Sequence, residues 1–327
     1  MSDILRVIDL KKYFQSPGGQ LHAVEGVSFA IQKGKTLGVV GESGCGKSTL
    51  GRVILGLQSA TGGIVLYKDA DITHITGRDR RMRQKDMQII FQDPFSSLNP
   101  RLCVLELIGD PLRTFKICSG KKEREKRVYE LMDTVGLARR FAYSYPHELD
   151  GGRRQRIGIA RALAVEPEFI VCDEPVSALD VSIQAQILNL LQDIQSERGL
   201  SYIFITHDLS VVKHISDDIL VMYVGCMVEK CPSKTLFKQP LHPYTKGLLS
   251  AIPVPSLKYK KERIILQGEL TSPINPKPGC RFLPRCPYAT DVCAREQPPY
   301  EELEENHFAA CHNVREINGL LTATRKI

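Results

Sequence analysis

The chain has 327 residues, 43% of them apolar and 25% charged, which is ordinary for a globular protein of about two domains and excludes fibrous and disordered classes. Its formal net charge of +7 reflects 44 Lys and Arg against 37 Asp and Glu. The basic runs at residues 78–85 and 121–127 are typical of solvated helix faces. We therefore expect no nucleic-acid partner, although an acidic lipid surface would suit the charge.

Membrane insertion is not expected from the sequence. No apolar run reaches the roughly 18 residues that a spanning helix needs. The first residues also lack the charged, apolar and small-residue regions of a signal peptide. We therefore expect a cytosolic chain that reaches a membrane only through a partner.

Residues 4–33 predict an antiparallel lead-in sheet. Short strands are indicated at residues 5–14 and 23–31, and the turn-forming residues 16–20 separate them. Tyr13 lies on the first of these strands, where an aromatic side chain is more often a core residue than a ligand contact.

Residues 41–49, GESGCGKST, have the spacing of a phosphate-binding loop and lie between an apolar strand and a helical segment, as such a loop requires. Its glycines let backbone N–H groups point at phosphate oxygens, and the next helix directs its positive end there. Lys47 is predicted to neutralise the outer phosphates, and the Ser48 hydroxyl to bind a magnesium ion. Cys45 is expected to be chemically inert. The residues predicted to contact the nucleotide are Gly41, Ser43, Gly44, Cys45, Gly46, Lys47, Ser48 and Thr49.

A helical lobe is predicted after the phosphate loop. Residues 62–72 favour a hairpin, and the apolar strand at residues 87–94 breaks at Gln92. Residues 101–164 then show apolar recurrence at three and four positions. This pattern predicts helices inserted into the surrounding fold.

Acidic and imidazole side chains stand at the ends of two predicted buried strands, at residues 169–175 and 202–208. Alternating strands and helices favour an α/β sheet that binds ligands at the carboxyl ends of its strands. We expect Asp173 to hold magnesium through water, and Glu174 to polarise the water that attacks the outer phosphate. His207 is expected to donate to the same phosphate.

A domain boundary is predicted near residue 250, beyond which the sequence is rich in Pro and Cys and loses its periodicity. Cys280, Cys286, Cys293 and Cys311 lie there, separated by five, six and seventeen residues. In a cytosolic chain, such a group favours a metal site over disulfides. The spacing leaves zinc and a four-iron, four-sulfur cluster both open.

Two histidines lie close to Cys311 in the sequence. His307 and His312 are predicted to be substitute ligands or hydrogen-bond donors around the metal site. The six remaining cysteines are scattered through predicted core segments, where cysteine usually acts as a small apolar residue.

Together these motifs resemble the nucleotide-binding subunit of an ABC transporter over nearly the whole chain. Residues 41–49 and 169–174 resemble its two phosphate motifs, and residues 177–180, SALD, resemble its D-loop. The resemblance implies that Gln92 is the glutamine-loop ligand of magnesium and that His207 is the switch histidine. It also implies that Tyr13 is the aromatic residue that stacks on adenine.

The resemblance is closer still to the dipeptide/oligopeptide importer branch, particularly its second ATPase subunit. It rests on the Cys-rich tail and on three motifs: FQDPFSSLNPR, DEPVSALDVS and HPYT. It implies an α/β, RecA-like P-loop ATPase with an antiparallel lead-in sheet and a helical subdomain at about residues 95–165. Residues 1–250 would form the nucleotide-binding domain and residues 251–327 a Cys-rich extension that holds an iron–sulfur cluster.

The same resemblance implies partners and a location. In this family, two ATPase subunits enclose two ATP molecules with magnesium and drive two membrane-spanning permeases. A solute-binding protein delivers the solute to these permeases. The chain would then lie peripherally at the cytoplasmic face of the cell membrane. Importers of nickel or other small solutes share this cassette and remain an alternative. A soluble ABC ATPase acting on nucleic acid is the other, although such proteins generally carry two cassettes in one chain.

One motif departs from the family pattern LSGGQ: the residues here are Leu149, Asp150, Gly151, Gly152 and Arg153. In the family the signature Ser donates to the γ-phosphate held by the partner, and an ionised Asp150 cannot donate. A like-charge pair at about 4 Å costs roughly 4 kcal/mol at an effective dielectric of about 20. Arg153 and the helix N-terminus offset part of this cost. We expect an asymmetric heterodimer with one degenerate site; a local compensation without catalytic consequence is the alternative.

Overall fold

The computed structural model describes residues 2–252, 263–268 and 271–320. Most of the Pro-rich, charged stretch that follows the predicted domain boundary lies outside these ranges. The strands of the described part are β1 (Asp3–Ser16), β2 (Gly19–Gln32), β3 (Thr36–Val40), β4 (Gly62–Tyr67), β5 (Ala70–Asp71), β6 (Met87–Ile90), β7 (Phe169–Asp173), β8 (Ser201–Thr206), β9 (Asp218–Tyr223), β10 (Cys226–Pro232), β11 (Glu301–Glu304) and β12 (His307–Ala309).

The helices of the described part lie mainly between these strands. They are α1 (Lys47–Ile54), α2 (Gly77–Asp86), α3 (Pro94–Ser97), α4 (Val104–Thr114), α5 (Lys121–Thr134), α6 (Gly151–Leu163), α7 (Val181–Arg198), α8 (Leu209–Ile215), α9 (Ser233–Lys238), α10 (Pro243–Ser250), α11 (Asp291–Arg295) and α12 (Val314–Ile317). Short 3-10 helices occur at Arg139–Phe141, Pro146–Glu148 and Leu283–Arg285. None of the described helices is long and apolar enough to cross a bilayer.

The lead-in region forms a four-stranded antiparallel sheet in the order β2-β1-β4-β5, as predicted. A tight turn joins β1 to β2, and Ser16 pairs with Gly19 across it. Alternation along β1 is interrupted by several register shifts, one of them between Lys12 and Tyr13. Such shifts change which face of the sheet a side chain occupies.

The central sheet has eight strands in the order β11-β12-β10-β9-β3-β8-β7-β6. The strands from β9 to β6 in this order are parallel, and the remaining three continue antiparallel. Every residue of β3, β7 and β8 is buried, because helices cover one face while α1 and the lead-in sheet cover the other. The predicted α/β class is confirmed, and the carboxyl ends of these strands meet at one edge.

Helices α3 to α6 occupy the region for which the sequence predicts an inserted lobe. Leu107, Ile108 and Leu112 of α4 and Val128 of α5 are buried in a core that continues to the central sheet. The basic run at residues 78–85 lies on α2, none of whose residues is buried, as expected of a solvated helix face.

The C-terminal segment extends the central sheet. On β12, Phe308 and Ala309 pair with Lys230 and Glu229 of β10, and β11 pairs with β12. Part of the segment therefore shares a sheet with the preceding domain, which differs from the separate small module that its composition predicts. Strands of four and three residues are too short to give a periodic signal.

Candidate active site

A cleft of about 680 Å³ opens at the carboxyl ends of β3, β7 and β8. This volume lies within the range of roughly 300–1,000 Å³ that is typical of small-molecule sites. Its described lining residues are Phe14, Leu21, His22, Ala23, Ser43, Gly44, Gly46, Lys47, Ser48, Thr49, Gln92, Asp93, Glu174, Ser177, Ala178, His207, Gly225 and Pro273.

The phosphate loop connects the end of β3 to α1. Gly41 and Gly46 have φ values of 152° and 102°, and a Cβ on Gly46 would lie 2.0 Å from the carbonyl oxygen of Ala23. Only glycine fits there without a backbone shift. The Lys47 side chain is buried, and its Nζ donates to the carbonyl oxygens of Gly41 and Glu42 at 2.8 and 3.0 Å. The loop therefore holds an ammonium group beside the space for phosphates.

Ser48 and Asp173 are hydrogen-bonded to each other, with 2.6 Å between Ser48 Oγ and Asp173 Oδ1. The guanidinium of Arg52 lies 3.6 Å from the other carboxylate oxygen. Burial raises the pKa of Asp173, while the Ser48 hydrogen bond and the Arg52 charge oppose that shift. Hydroxyl and carboxylate oxygens are the ligands that magnesium prefers, so this pair fits a magnesium ion held partly through water.

The carboxylate of Glu174 is held between two side chains from different elements. Gln92 Nε2 donates to Glu174 Oε2 at 3.0 Å, and His207 Nδ1 lies 3.3 Å from the same oxygen. The Gln92 amide is therefore directed at Glu174 rather than at the predicted magnesium ligands. Glu174 has a φ of 49°, a left-handed value that costs a residue with a Cβ about 1–3 kcal/mol and is commonly found at functional sites.

The aromatic wall of the cleft differs from the expectation for Tyr13. Phe14 and His22 line the cleft, whereas Tyr13 is not among its described lining residues. The Tyr13 ring stacks on His22 with 4.1 Å between centroids, and its hydroxyl donates to Glu25 at 2.6 Å. The next residue on β1, Phe14, therefore lines the cleft where Tyr13 was expected.

Two predicted nucleotide contacts in the phosphate loop, Gly41 and Cys45, are not among the described lining residues of the cleft. The Cys45 side chain points into the core. It is 3% exposed and belongs to the core cluster beneath the loop. Burial raises the pKa of its thiol, which agrees with the expectation of an inert cysteine.

The signature residues lie at the start of α6, outside the described lining of the cleft. Asp150 is the N-cap of this helix: Oδ1 accepts from the Arg153 N–H at 2.8 Å, and Oδ2 lies 2.8 Å from its guanidinium. The two side chains are 58% and 43% exposed. A Cβ on Gly152 would lie 2.7 Å from Ile183 on α7, so this turn is tightly packed. Asp150 and Arg153 thus compensate each other's charge within the chain.

The four C-terminal cysteines are free thiols in one neighbourhood. The N–H of Cys280 donates to the Cys293 carbonyl oxygen at 2.7 Å. Burial, with a contribution from the neighbouring thiols, raises the pKa of Cys280 and Cys311 to about 11. Among the described residues, no three of these sulfurs lie within 4.8 Å of one another.

His307 lies in a different group from the one predicted. Its Nε2 donates to Glu229 Oε1 at 2.8 Å, and Cys231 is the third member of this fully buried group. Glu229 also accepts from the backbone N–H groups of Leu241 and His242 at 2.8 and 2.9 Å. Both carboxylate oxygens already have donors, so the group acts as an anchor that joins β10, β12 and the start of α10. His312, the other histidine predicted near the metal site, donates through its Nε2 to the carbonyl oxygen of Glu296 at 3.0 Å.

Tyr244 and Arg285, to which the sequence analysis gives no role, also contact the phosphate loop. The hydroxyl of Tyr244 on α10 accepts from the Glu42 N–H at 2.9 Å. Arg285 donates twice to the Glu42 carboxylate, at 2.7 and 3.1 Å. Both residues lie in segments that carry the family resemblance, the HPYT motif and the Cys-rich tail. No spacing rule connects those segments to the loop.

A phosphate loop with Asp173, Glu174 and His207 at adjacent strand ends, on an α/β sheet with an inserted helical lobe, defines an ATP-binding cassette ATPase. Residues 24–177 match the family model described as ABC transporter. Residues 228–293 match the model described as oligopeptide/dipeptide transporter, C-terminal region. The chain belongs to the ATP-binding proteins of the oligopeptide/dipeptide branch of the ABC transporter family.

Named relatives agree with this assignment. The chain is 51% identical to the putative oligopeptide transport ATP-binding protein YkfD of Bacillus subtilis, covering 95% of this chain and 96% of that protein. It is 52% identical to the oligopeptide transport ATP-binding protein OppF of Escherichia coli, covering 94% and 92%. Among solved structures, it is similar to the dimeric ATP-binding cassette MJ0796 bound to ADP and Pi, with a TM-score of 0.63 and 30% identity, covering 70% and 98%.

Proposed function

We propose that this chain is one of two ATPase subunits that power the import of dipeptides or oligopeptides, bound peripherally at the cytoplasmic face of the cell membrane. The main support for this proposal is that one chain contains both half of a hydrolytic site and a C-terminal region of the oligopeptide/dipeptide transporter type. Relatives named for oligopeptide transport support the cargo class. The proposed partners are a second ATPase subunit, two permease subunits and, indirectly, a solute-binding protein.

The residues of the cleft have distinct roles in this proposal. Lys47 and the loop N–H groups bind the outer phosphates, and Ser48 and Asp173 hold magnesium, which offsets phosphate charge when bound. Glu174 accepts a proton from the attacking water, since its carboxylate is fixed at the strand end. His207, adjacent to that carboxylate, donates to the outer phosphate. Positioning and charge compensation supply most of the catalysis in phosphoryl transfer.

We assign the adenine contact to Phe14 and His22 in place of Tyr13. Their side chains line the end of the cleft formed by the lead-in sheet, and an aromatic face can stack on any base. In this proposal, Tyr13 holds the His22 ring in place through the stacked contact between the two rings.

The proposed pair of ATPase subunits is asymmetric. The half-site of this chain needs a signature from its partner, while its own residues 149–153 complete the partner's site. Asp150 has no proton to donate when ionised, and its Oδ1 is already committed to capping α6. Arg153 offsets the charge only in part, because both side chains are half-exposed and screened by water. The site that Asp150 completes is therefore the weaker of the two.

The experiment for the main proposal is co-expression of the chain with the partner ATPase, two permeases and the binding protein, followed by ATPase and peptide-uptake assays in proteoliposomes. Glu174→Gln should lower hydrolysis about 10²–10⁴-fold, the usual contribution of a general base. Glu197→Gln, on the exposed side of α7, is the matched control and should match the wild type. Intact hydrolysis in Glu174→Gln would show that the active-site assignment is wrong.

The asymmetry is tested by restoring the family signature with Asp150→Ser and Arg153→Gln together. Ser is as good an N-cap as Asp, so the stability of α6 should be kept. A recovered hydrogen bond to a charged group is worth about 1.5–3 kcal/mol, which predicts a gain of about tenfold to a hundredfold at the weak site. The control removes the exposed pair of Asp133 and Arg139 in the same lobe. ATPase and transport rates equal to that control would contradict the asymmetry.

We also propose that Cys280, Cys286, Cys293 and Cys311 hold a four-iron, four-sulfur cluster within the extension at residues 251–327. Support comes from four free thiols that lie close enough to raise one another's pKa. Anaerobically purified protein should be brown and contain iron, and Cys286→Ser should lose both properties. A colourless, zinc-bearing wild type would rule out the cluster.

A further inference from the structure

The loop between Cys280 and Cys286 directs two arginines towards the ATP site. Both are largely buried, with side-chain exposures of 4% for Arg281 and 9% for Arg285. Buried arginine is uncommon unless it is paired, and each of these guanidiniums has a carboxylate partner beside the cleft. Their partners, Glu25 and Glu42, are separated from them by more than two hundred residues of sequence.

Arg285 pairs with the only carboxylate of the phosphate loop. Both of its terminal nitrogens donate to Glu42, at 2.7 and 3.1 Å, which is the two-point geometry of a strong arginine–carboxylate pair. Glu42 lies directly after Gly41, and its carbonyl oxygen accepts from Lys47. A bare carboxylate here would repel the phosphates that the loop must hold, because the surrounding protein screens charge less than water does.

The position of Arg285 is fixed by aromatic packing. Phe282, three residues earlier, is 1% exposed and contacts Tyr223 edge to face at 5.2 Å between centroids. It also contacts Tyr244, whose hydroxyl accepts from the Glu42 N–H. Glu42 is therefore held at its backbone and at its side chain by two elements that pack on each other.

The same segment contacts the adenine end of the cleft. Arg281 donates to Glu25 at 3.0 Å, and Glu25 is hydrogen-bonded to His22 on the cleft wall. The carbonyl oxygen of Pro273, itself a lining residue, accepts from the His22 N–H at 2.9 Å. The C-terminal segment thus touches both ends of the nucleotide site.

We propose that Arg285 is a positioning residue of the ATP site, which neutralises Glu42 and so makes nucleotide affinity depend on the Cys-rich segment. This inference rests on the ATP binding assigned under Proposed function. The arginine does not touch substrate. It acts through the charge and placement of Glu42. The loop that carries it is held at Cys280, whose N–H donates to the Cys293 carbonyl oxygen.

The test is calorimetric titration of the purified full-length chain with ADP and magnesium, which avoids hydrolysis. Arg285→Gln should weaken ADP binding about tenfold, and Arg285→Lys should recover part of that loss because it keeps the charge but not the two-point geometry. Adding Glu42→Gln to Arg285→Gln should return the affinity to near the wild-type value, since no carboxylate is left to repel phosphate. Arg295→Gln, an exposed arginine of the same segment, is the control and should bind as the wild type does.

Several outcomes would overturn the inference. Wild-type affinity in Arg285→Gln would mean that the ion pair has no role in binding. A double variant as weak as Arg285→Gln would mean that the arginine is only a structural tether. If Arg285→Gln fails to fold, Glu42→Gln alone decides the matter: it should bind ADP at least as tightly as the wild type, and weaker binding contradicts the inference. A wild-type chain that does not bind ADP would instead refute the proposed function.

Discussion

Replacement of Glu229 by Ala is expected to loosen the junction between the C-terminal strands and the rest of the protein. The Glu229 side chain is fully buried and accepts three hydrogen bonds, from His307 Nε2 and from the N–H groups of Leu241 and His242. These donors come from β12 and from the segment that starts α10. The substitution removes their shared acceptor without offering another.

The size of the effect follows from these contacts. Each buried donor left without a partner costs about 1–3 kcal/mol, so three donors set an upper bound of about 9 kcal/mol. Relaxation and water entry reduce such losses, and removal of one partner from a buried pair typically costs about 3–5 kcal/mol. We therefore expect Glu229→Ala to lower the free energy of unfolding by about 3–5 kcal/mol. For a chain of 327 residues, the melting temperature should then fall by about 4–7 °C.

Thermal melting of the full-length protein, followed by circular dichroism, measures this change. Glu301→Ala, at an exposed position on β11, removes a carboxylate from the same sheet and is the control. Glu229→Gln keeps one carbonyl acceptor and should lose less stability than Glu229→Ala. If Glu229→Ala melts at the same temperature as Glu301→Ala, the buried group does not anchor the segment and the reasoning fails.

Three further predictions concern other sites. Burial lowers the pKa of His242 to about 4, so the unfolded chain takes up the proton first and stability should fall by about 3 kcal/mol between about pH 6.5 and pH 4; His242→Asn keeps an N-cap, and its melting curves across this range should lack that loss. Phe14→Ala should weaken ADP binding measured by calorimetry about tenfold through lost stacking, and wild-type affinity in this variant would contradict the assignment. Gly46→Ala should abolish ADP binding because of the 2.0 Å contact with backbone, while Gly158→Ala, which meets nothing within 4 Å, should retain it.

The nucleotide half of the fold was predictable because chemistry restricts its residue types. The phosphate loop needs glycine where φ is positive and the backbone approaches closely, as at Gly41 and Gly46. The strands that lead to Asp173 and His207 are buried on both faces, so their sequences are continuous apolar runs. Residue type, spacing and burial therefore all place the nucleotide site at the same edge of the sheet.

Other parts of the site depend on distances that no local pattern encodes. Phe14 rather than Tyr13 lines the cleft, and β1 contains register shifts that strand alternation in the sequence does not reveal. The Arg285–Glu42 pair joins positions 243 residues apart. His307 joins Glu229 because β12 pairs with β10, although its sequence neighbour Cys311 suggested the metal site. Tertiary pairing, rather than composition, determined each of these outcomes.

The two short strands β11 and β12 also protect β10. Without β11 and β12, the outer side of β10 would present a row of unpaired backbone donors and acceptors. An uncovered edge of this kind recruits strands from other molecules and leads to aggregation. Shortened forms that keep every nucleotide-binding motif but stop at residue 252 would therefore be poorly suited to biochemical work. The ribosome makes β11 and β12 after β10, so during synthesis there is a period in which the edge of β10 is uncovered and open to a chaperone.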